Sequence, residues 1–255
     1  MTIPASSELS LLPTSAIRSA PPLGLRVRDA ELRIRSASHD SVLRLLLPEG
    51  ELLVRSVSED SPLRLELEDF IRTKFHACFE ARISNFLPEL LGFYDSRGEI
   101  QAGVGLRNAA QGPLFLEQYL SDPIEDVLAK RLGIPIDRDA IVEIGNLAAA
   151  RPGLARPLLQ ALTLQLAARG THWVAFTGTR RVFAACRRMG LAPFRLGAAD
   201  PRRLGEAASD WGHYYASNPQ VAAGFVPSGL RAVEVRLFDP EQLRSLLRRA
   251  EVWIH

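Results

Sequence analysis

Apolar and charged residues alternate along "LRVRDAELRIR" and "SVLRLLLPEGELLVRSVS", on either side of turn-like junctions such as Pro48-Glu49-Gly50. A period of two bounded by turn residues predicts strands of an antiparallel ribbon. Within "SPLRLELEDFIRTKFHACFEARISNF" the period changes. Phe70, Ile71, Phe75, Cys78, Phe79 and Ile83 recur at helical spacing, so a helix is predicted there. "PELLGFYDSRGEIQAGVGLRNA" predicts a hairpin: a strand to Tyr94, a turn over Asp95 to Gly98, and a returning strand. "GPLFLEQYL" predicts a further short strand, and "PIEDVLAKRLG" a helix with proline near its first turn and glycine at its end.

The stretch "IVEIGNLAAARPGLARPLLQALTLQLAARG" predicts a strand over 140–147, a small-residue turn, and a helix to Ala168 with Gly170 as its stop. "THWVAFTGT" predicts a buried strand, "RRVFAACRRMG" a helix closed by Gly190, and "APFRLG" a short strand. An aromatic segment, "WGHYYASNP", is followed by a strand-like "GLRAVEVRLF", and Asp239 is placed to cap a last helix, "PEQLRSLLRRAEVWI". The first 24 residues are rich in Ser, Pro and Ala with little periodicity, and predict a mobile arm. The expected organisation is an arm at 1–24, a ribbon at 25–60, one α/β domain at 61–225 and a strand-helix extension at 226–255.

Composition narrows the class. With 47% apolar and 24% charged residues, the 255-residue chain can bury a substantial core. The net charge of +2, from 31 basic and 29 acidic residues, lacks the basic excess of a nucleic-acid binder. Cys78 and Cys186 both fall in predicted helices, which suits free thiols in a reducing compartment. The first residues lack the charged and apolar regions of a signal peptide, and no run reaches the roughly eighteen apolar residues of a membrane span. The expectation is a cytoplasmic protein without a membrane span.

Several residues could carry chemistry. Glu143 interrupts an apolar strand between Val142 and Ile144. A carboxylate buried there must be hydrogen-bonded or paired, and burial tunes it toward a general base; an edge or salt-bridged glutamate is the plainer alternative. Glu117 in "LFLEQYL" is a similar acidic interruption, able to orient an amine or to pair with Arg107, and Tyr119 lies beside it. Asn146 could hold a bulge or touch an acyl carbonyl. Gly153, Leu154 and Ala155 form a Gly-x-Ala turn before a helix, where backbone N–H groups can approach a phosphate. Arg151 and Arg156 flank that turn and could bind phosphate. Trp211, His213, Tyr214 and Tyr215 form the densest aromatic cluster, either a packing plug or the wall of an acyl pocket. The histidines show no zinc spacing, and HExxH, CxxC, Gly-x-Ser-x-Gly and Walker patterns are absent, so no metal site is expected.

The element order resembles the fold of the GCN5-related N-acetyltransferases, in which a mixed, mostly antiparallel sheet is flanked by helices. That resemblance implies that the strand reaching Asn146, Leu147 and Ala148 contacts the acyl donor, and that "GLARPLL" binds its pyrophosphate. Two departures stand out. The arginine expected three residues before Gly153 is replaced by Ala150, with Arg151 one place later and Pro152 removing a donor. Cys186 stands where a tyrosine acid is expected. The second departure, with "VEIGNLA" and "MGLAPFRLG", is similar to the acyl-homoserine-lactone synthases.

A nearer resemblance is to the thermostable hemolysin family. It is carried by "FIRTKFHACFEARISNFLPELLGFYDSRGEIQAGVGLRNAAQGPLFLEQYL", "IVEIGNLAA", "WVAFTGTRRV", "LGAADPRRL" and "WGHYY", over about residues 62 to 225. Together these resemblances imply an N-acyltransferase with no permanently bound cofactor. Its co-substrate would be an acyl-phosphopantetheine thioester, on acyl carrier protein or coenzyme A, and its acceptor a small amine or amino acid. Glu143, with Glu117, would act as base, and Arg107, Tyr119 and Tyr214 would contact the acceptor. Acyl carrier protein and a second copy of the chain are the expected partners. The alternatives are a haemolytic, membrane-active protein, as the family name implies, and a non-catalytic binding module on the same fold.

Overall fold

The alternating stretch at 42–57 forms the two strands it predicts. β1 (Val42–Leu47) and β2 (Gly50–Val57) pair antiparallel from Val42↔Arg55 to Leu47↔Gly50 in the computed structural model, which describes residues 42–47 and 50–237. The expected arm at 1–24, the strand at 25–35, Pro48 and Glu49 of the turn, and the helix after Asp239 lie outside the described residues. α1 (Arg64–Phe79) buries Leu67, Ile71 and Phe75, a stripe at four-residue steps. It ends before the predicted Ile83 because Glu80 takes a left-handed conformation with φ of 58°.

The hairpin forms as predicted, with β3 (Glu89–Tyr94) and β4 (Ile100–Asn108) joined by a turn in which Asp95 Oδ1 accepts from the Arg97 and Glu99 N–H groups. α2 (Ile124–Leu132) starts after Pro123 and ends at Gly133, whose φ is 72°. β5 (Ile141–Ala149), α3 (Ala155–Ala168), β6 (Trp173–Gly178), α4 (Arg180–Arg188) and β7 (Phe194–Ala198) follow the predicted order.

Three stretches differ from their expected form. "PLFLEQYL" contains a 3-10 helix over Phe115–Tyr119 rather than a strand. Its backbone donors are taken by side chains: Leu114 N–H by Glu117, and Phe115 and Leu116 N–H by Glu143. "QVAAGF" forms an unpredicted strand, β8 (Gln220–Phe225), and residues 229–237 of "GLRAVEVRLF" lie within a helix, α5 (Val226–Leu237), rather than a strand. Val226, Leu230 and Val233 are buried, and steps of four and three make one helical face.

The eight strands form one sheet in the order β1-β2-β3-β4-β5-β6-β8-β7. Every neighbouring pair is antiparallel except β5 and β6, which are parallel. The expected mixed, mostly antiparallel sheet with flanking helices is therefore present. On one face Leu154, Leu158, Leu162 and Leu166 of α3 pack with Leu91, Phe93, Val104 and Leu106. On the other, α1 covers Val57 and Leu90, while Ile124 and Leu128 of α2 cover Ile141, Trp173 and Ala175. Covered on both faces, β3 is an almost unbroken apolar run.

Candidate active site

β5 and β6 run together only from Ile141↔Trp173 to Ile144↔Phe176. Beyond that, β5 continues to Ala149 while β6 stays with β8 through Gly178↔Gln220. The two parallel strands therefore part, and one backbone edge of β5 past Ile144 has no partner among the described strands. On the opposite edge the β4–β5 register slips between Gly105↔Gly145 and Gly103↔Ala148, leaving Asn146 and Leu147 as a bulge.

Asn146 sits at φ of 50° and holds this bulge. Its Oδ1 accepts from Leu87 N–H at 3.0 Å and its Nδ2 donates to the Asn85 carbonyl at 3.2 Å. The position opposite must be glycine, because a Cβ on Gly105 would lie 2.6 Å from Asn146 Oδ1. Leu147 packs against the core under α3, and Ala148 is buried against the α1 side.

After β5 the chain turns through exposed Arg151, Pro152 and Gly153, with φ of 96° at Gly153 and open space around its α-carbon. Leu154 is buried and anchors the start of α3. No side chain caps that helix, so the first-turn N–H groups of Ala155 and Arg156 remain available to a ligand; Pro157, like Pro152, has none to offer. Arg151 and Arg156 are exposed and make no ion pair with a described residue. The turn thus brings together two guanidinium groups, two backbone donors and the positive end of a helix.

Glu143 lies three residues before Asn146 of the bulge, only 3% exposed. Its Oε2 accepts from Phe115 N–H at 2.9 Å and its Oε1 from Leu116 N–H at 2.8 Å. Burial pushes its pKa up to about 7, against the pull of those two N–H groups and of the Arg107 charge. Each oxygen keeps a further lone pair, so the carboxylate can accept a proton at neutral pH.

Glu117 has a different environment. It pairs with Arg138, not with Arg107, at 2.7 Å for Oε1 and 3.0 Å for Oε2. The same carboxylate accepts from Leu114 N–H at 2.7 Å and Ile124 N–H at 2.9 Å. Burial raises its pKa, but Arg138 and the backbone donors outweigh this and hold it below the usual carboxylate range. Such a carboxylate is a clamp between the 3-10 helix and α2, and a poor base. Arg138, which sequence reasoning missed, also pairs with Glu125 and donates to the Ala109 and Gly112 carbonyls. Its only signal was an isolated arginine in "IDRDA".

Tyr119 and Tyr214 enter an aromatic group with Tyr215, Trp211, Phe115 and Phe79. The Tyr119 and Tyr215 hydroxyls meet at 2.5 Å, and the Tyr214 hydroxyl points at the Thr177 carbonyl at 3.4 Å. Ring centroids of Trp211 lie 5.5 Å from Phe115 and 5.3 Å from Tyr214. Burial holds all three phenols above their ordinary pKa, and the hydrogen bond with Tyr215 raises Tyr119 further. Sequence patterning marked Trp211, Tyr214 and Tyr215 as a cluster, but gave no sign that Tyr119 and Phe115 join them. Cys186 is buried in α4 with its thiol pushed up to about 11, unsuited to protonating a thiolate. Among the described residues no three His, Cys, Asp or Glu side chains group to hold a metal, and no helix is long and apolar enough to cross a membrane.

A sheet parted at one parallel pair, with a buried carboxylate at the fork and a turn-helix beyond it, defines the architecture. The chain belongs to the thermostable hemolysin family, whose model matches residues 57–230. No curated protein matches it. Among solved structures it is similar to FeeM, an N-acyl amino acid synthase from uncultured soil microbes, at 16% identity over 70% of this chain and 92% of that one, with a TM-score of 0.49. It is also similar to MesI, a CoA-dependent acyl-homoserine lactone synthase, at 17% identity over 72% and 94% of the two chains, with a TM-score of 0.44. The corresponding values for the acyl-homoserine-lactone synthase LasI are 12%, 69%, 91% and 0.47.

Proposed function

We propose that the protein is an N-acyltransferase that moves an acyl group from a phosphopantetheine thioester to the amine of a small amino compound. The observation that carries this reading is Glu143, a buried carboxylate with a pKa near 7 placed just before β5 and β6 part.

The thioester arm enters the gap between the strands, where the backbone of β5 past Ile144 lacks a strand partner on that side. Its phosphate lies at the Gly153 turn, held by the Ala155 and Arg156 N–H groups and the two flanking arginines. Pro152 and Pro157 both remove donors there, which suits one phosphate on a carrier arm as well as it suits coenzyme A. Backbone N–H groups of the bulged strand polarise the thioester carbonyl. Glu143 takes a proton from the acceptor ammonium, directly or through water, and the freed amine attacks the carbonyl carbon. The tetrahedral intermediate collapses as the C–S bond breaks, giving an amide and a thiolate that takes its proton from water or from the reacting nitrogen. Glu117 has no part in proton transfer in this scheme; it keeps the 3-10 helix in place so that the Phe115 and Leu116 N–H groups hold Glu143.

The test is incubation of the purified protein with acyl-carrier-protein and coenzyme A thioesters of several chain lengths and a panel of amines and amino acids, with amide products read by mass spectrometry. An amide formed by the wild type and not by Glu143→Gln supports the reading. Absence of any amide, together with no donor binding, overturns it. Liposome leakage that persists in Glu143→Ala would favour the membrane-active alternative.

A further inference from the structure

Arg107 and Glu143 face each other across the β4–β5 register, yet they form no ion pair. Glu143 is held by the Phe115 and Leu116 N–H groups. Arg107 has no hydrogen-bond partner among the described residues, and its Nε is buried from solvent. The Arg107 charge acts on Glu143, lowering its pKa against burial. A buried guanidinium nitrogen without an acceptor is costly, and in a native structure such a group calls for a reason. The neighbouring arginine shows the contrast: Arg138 is satisfied by Glu117, Glu125 and two backbone carbonyls. The chain also leaves room for the Arg107 head group, since a Cβ on Gly112 would sit 3.2 Å from its Nη2.

From this we infer that Arg107 binds the carboxylate of the acceptor, and that the acceptor is an α-amino acid rather than a simple amine. A zwitterion matches the separated pair. Its carboxylate lies across the two Nη atoms, which have no partner among the described residues and, unlike Nε, are not shut off from solvent, a bidentate arrangement that supplies acceptors to the guanidinium. Its ammonium, one carbon away, lies against the Glu143 carboxylate that is to receive its proton. The inference rests on the acyltransferase reading for the chemistry, but not for the binding.

The experiment separates the two. Binding of the twenty common L-amino acids, and of matched amines that lack the carboxylate, is followed by saturation-transfer NMR and titration on wild type, Arg107→Gln and Arg107→Lys, with melting temperatures recorded for each. Wild type is expected to bind at least one amino acid 10- to 100-fold more tightly than its amine, the range for hydrogen bonds to a charged group. Arg107→Gln abolishes that preference, and Arg107→Lys, which keeps the charge without the fork, restores part of it. Wild-type preference for the carboxylate needs no variant, so poor folding of Arg107→Gln leaves the test intact. Equal binding of amines and amino acids by wild type overturns the inference, as does binding of neither, or an unchanged preference in a folded Arg107→Gln. Amino-acid binding that depends on Arg107 without acyl transfer to any acceptor would sink the acyltransferase reading and leave the carboxylate site standing. Acyl transfer to amines and amino acids alike would do the reverse.

Discussion

Glu143 is set by a competition between burial, which favours its neutral form, and two N–H donors and Arg107, which favour its charge. Burial wins, and the resulting pKa of about 7 has two measurable consequences. As a base, the group works when deprotonated, so kcat/KM for acyl transfer is expected to rise with pH through about 7. Glu143→Gln should lose that rising limb and about 10²- to 10⁴-fold in rate, with donor binding retained. Stability should run the other way. Between the ordinary 4.5 and about 7 the folded protein holds a proton that the unfolded chain has released, so unfolding free energy falls as pH rises through that window. The part due to Glu143 is on the order of 3 kcal/mol, fully present below pH 4.5 and gone above about 8. Melting curves from pH 4 to 9 should therefore fall more steeply for wild type than for Glu143→Gln; parallel curves would show that the carboxylate is not perturbed. Glu117 is the counterexample within the same site. Glu117→Gln breaks a partly buried pair with Arg138 and is expected to cost roughly 1 to 3 kcal/mol of stability. Below its melting temperature, the variant should keep the rising limb of the pH profile, displaced to lower pH because the Glu117 charge helps to raise the Glu143 pKa.

The elements that place these residues depend on backbone devices. Asn146 holds a left-handed bulge residue and ties it to the 85–87 segment through two hydrogen bonds. Asn146→Ala should cost about 2 to 3 kcal/mol from the lost bonds and the strained conformation, and Asn146→Gly less, since glycine accepts that φ; thermal unfolding of the pair separates the two contributions. At the turn, Gly153→Asp adds a negative charge where a phosphate is proposed to lie, on a backbone with open space around it. Donor affinity should drop at least tenfold with little change in melting temperature, and unchanged affinity would place the donor elsewhere.

The same elements show what the sequence made legible. The hairpin, α2, and the run β5-α3-β6-α4-β7 carry strong period and end signals: Asp95 to Gly98, Pro123 with Gly133, Gly170 and Gly190. The 3-10 helix carries none, because side chains distant in sequence, above all Glu143, take its backbone donors. β8 is weakly marked because Ala222, Ala223 and Gly224, with low strand propensity, occupy its centre. In α5, Val233 and Val235 read as strand by propensity, and only packing on α3 decides for helix. At the site, Glu143 stood out as an acid in an apolar strand, whereas Arg138 did not, since its four partners lie 13 to 29 residues before it.

Over the whole molecule, helices cover both faces of the sheet and the antiparallel ribbon β1–β2 extends it at one side. The parallel pair β5–β6 is the one place among the described strands where neighbours separate along their length. Arg107, Glu143, the bulge and the α3 turn all lie on β4, on β5 or directly after them, so one strand pair carries every residue of the proposed acceptor, base and donor sites. The most direct test is a coupled measurement of thiol release and amide formation from an acyl-phosphopantetheine thioester, with and without added amino acid. Acyl transfer at the β5–β6 fork requires thiol and amide to appear one for one, only when an amino acid is present, and to disappear together in Glu143→Gln. Thiol release without amide, or one-for-one transfer that survives Glu143→Gln unchanged, would contradict it.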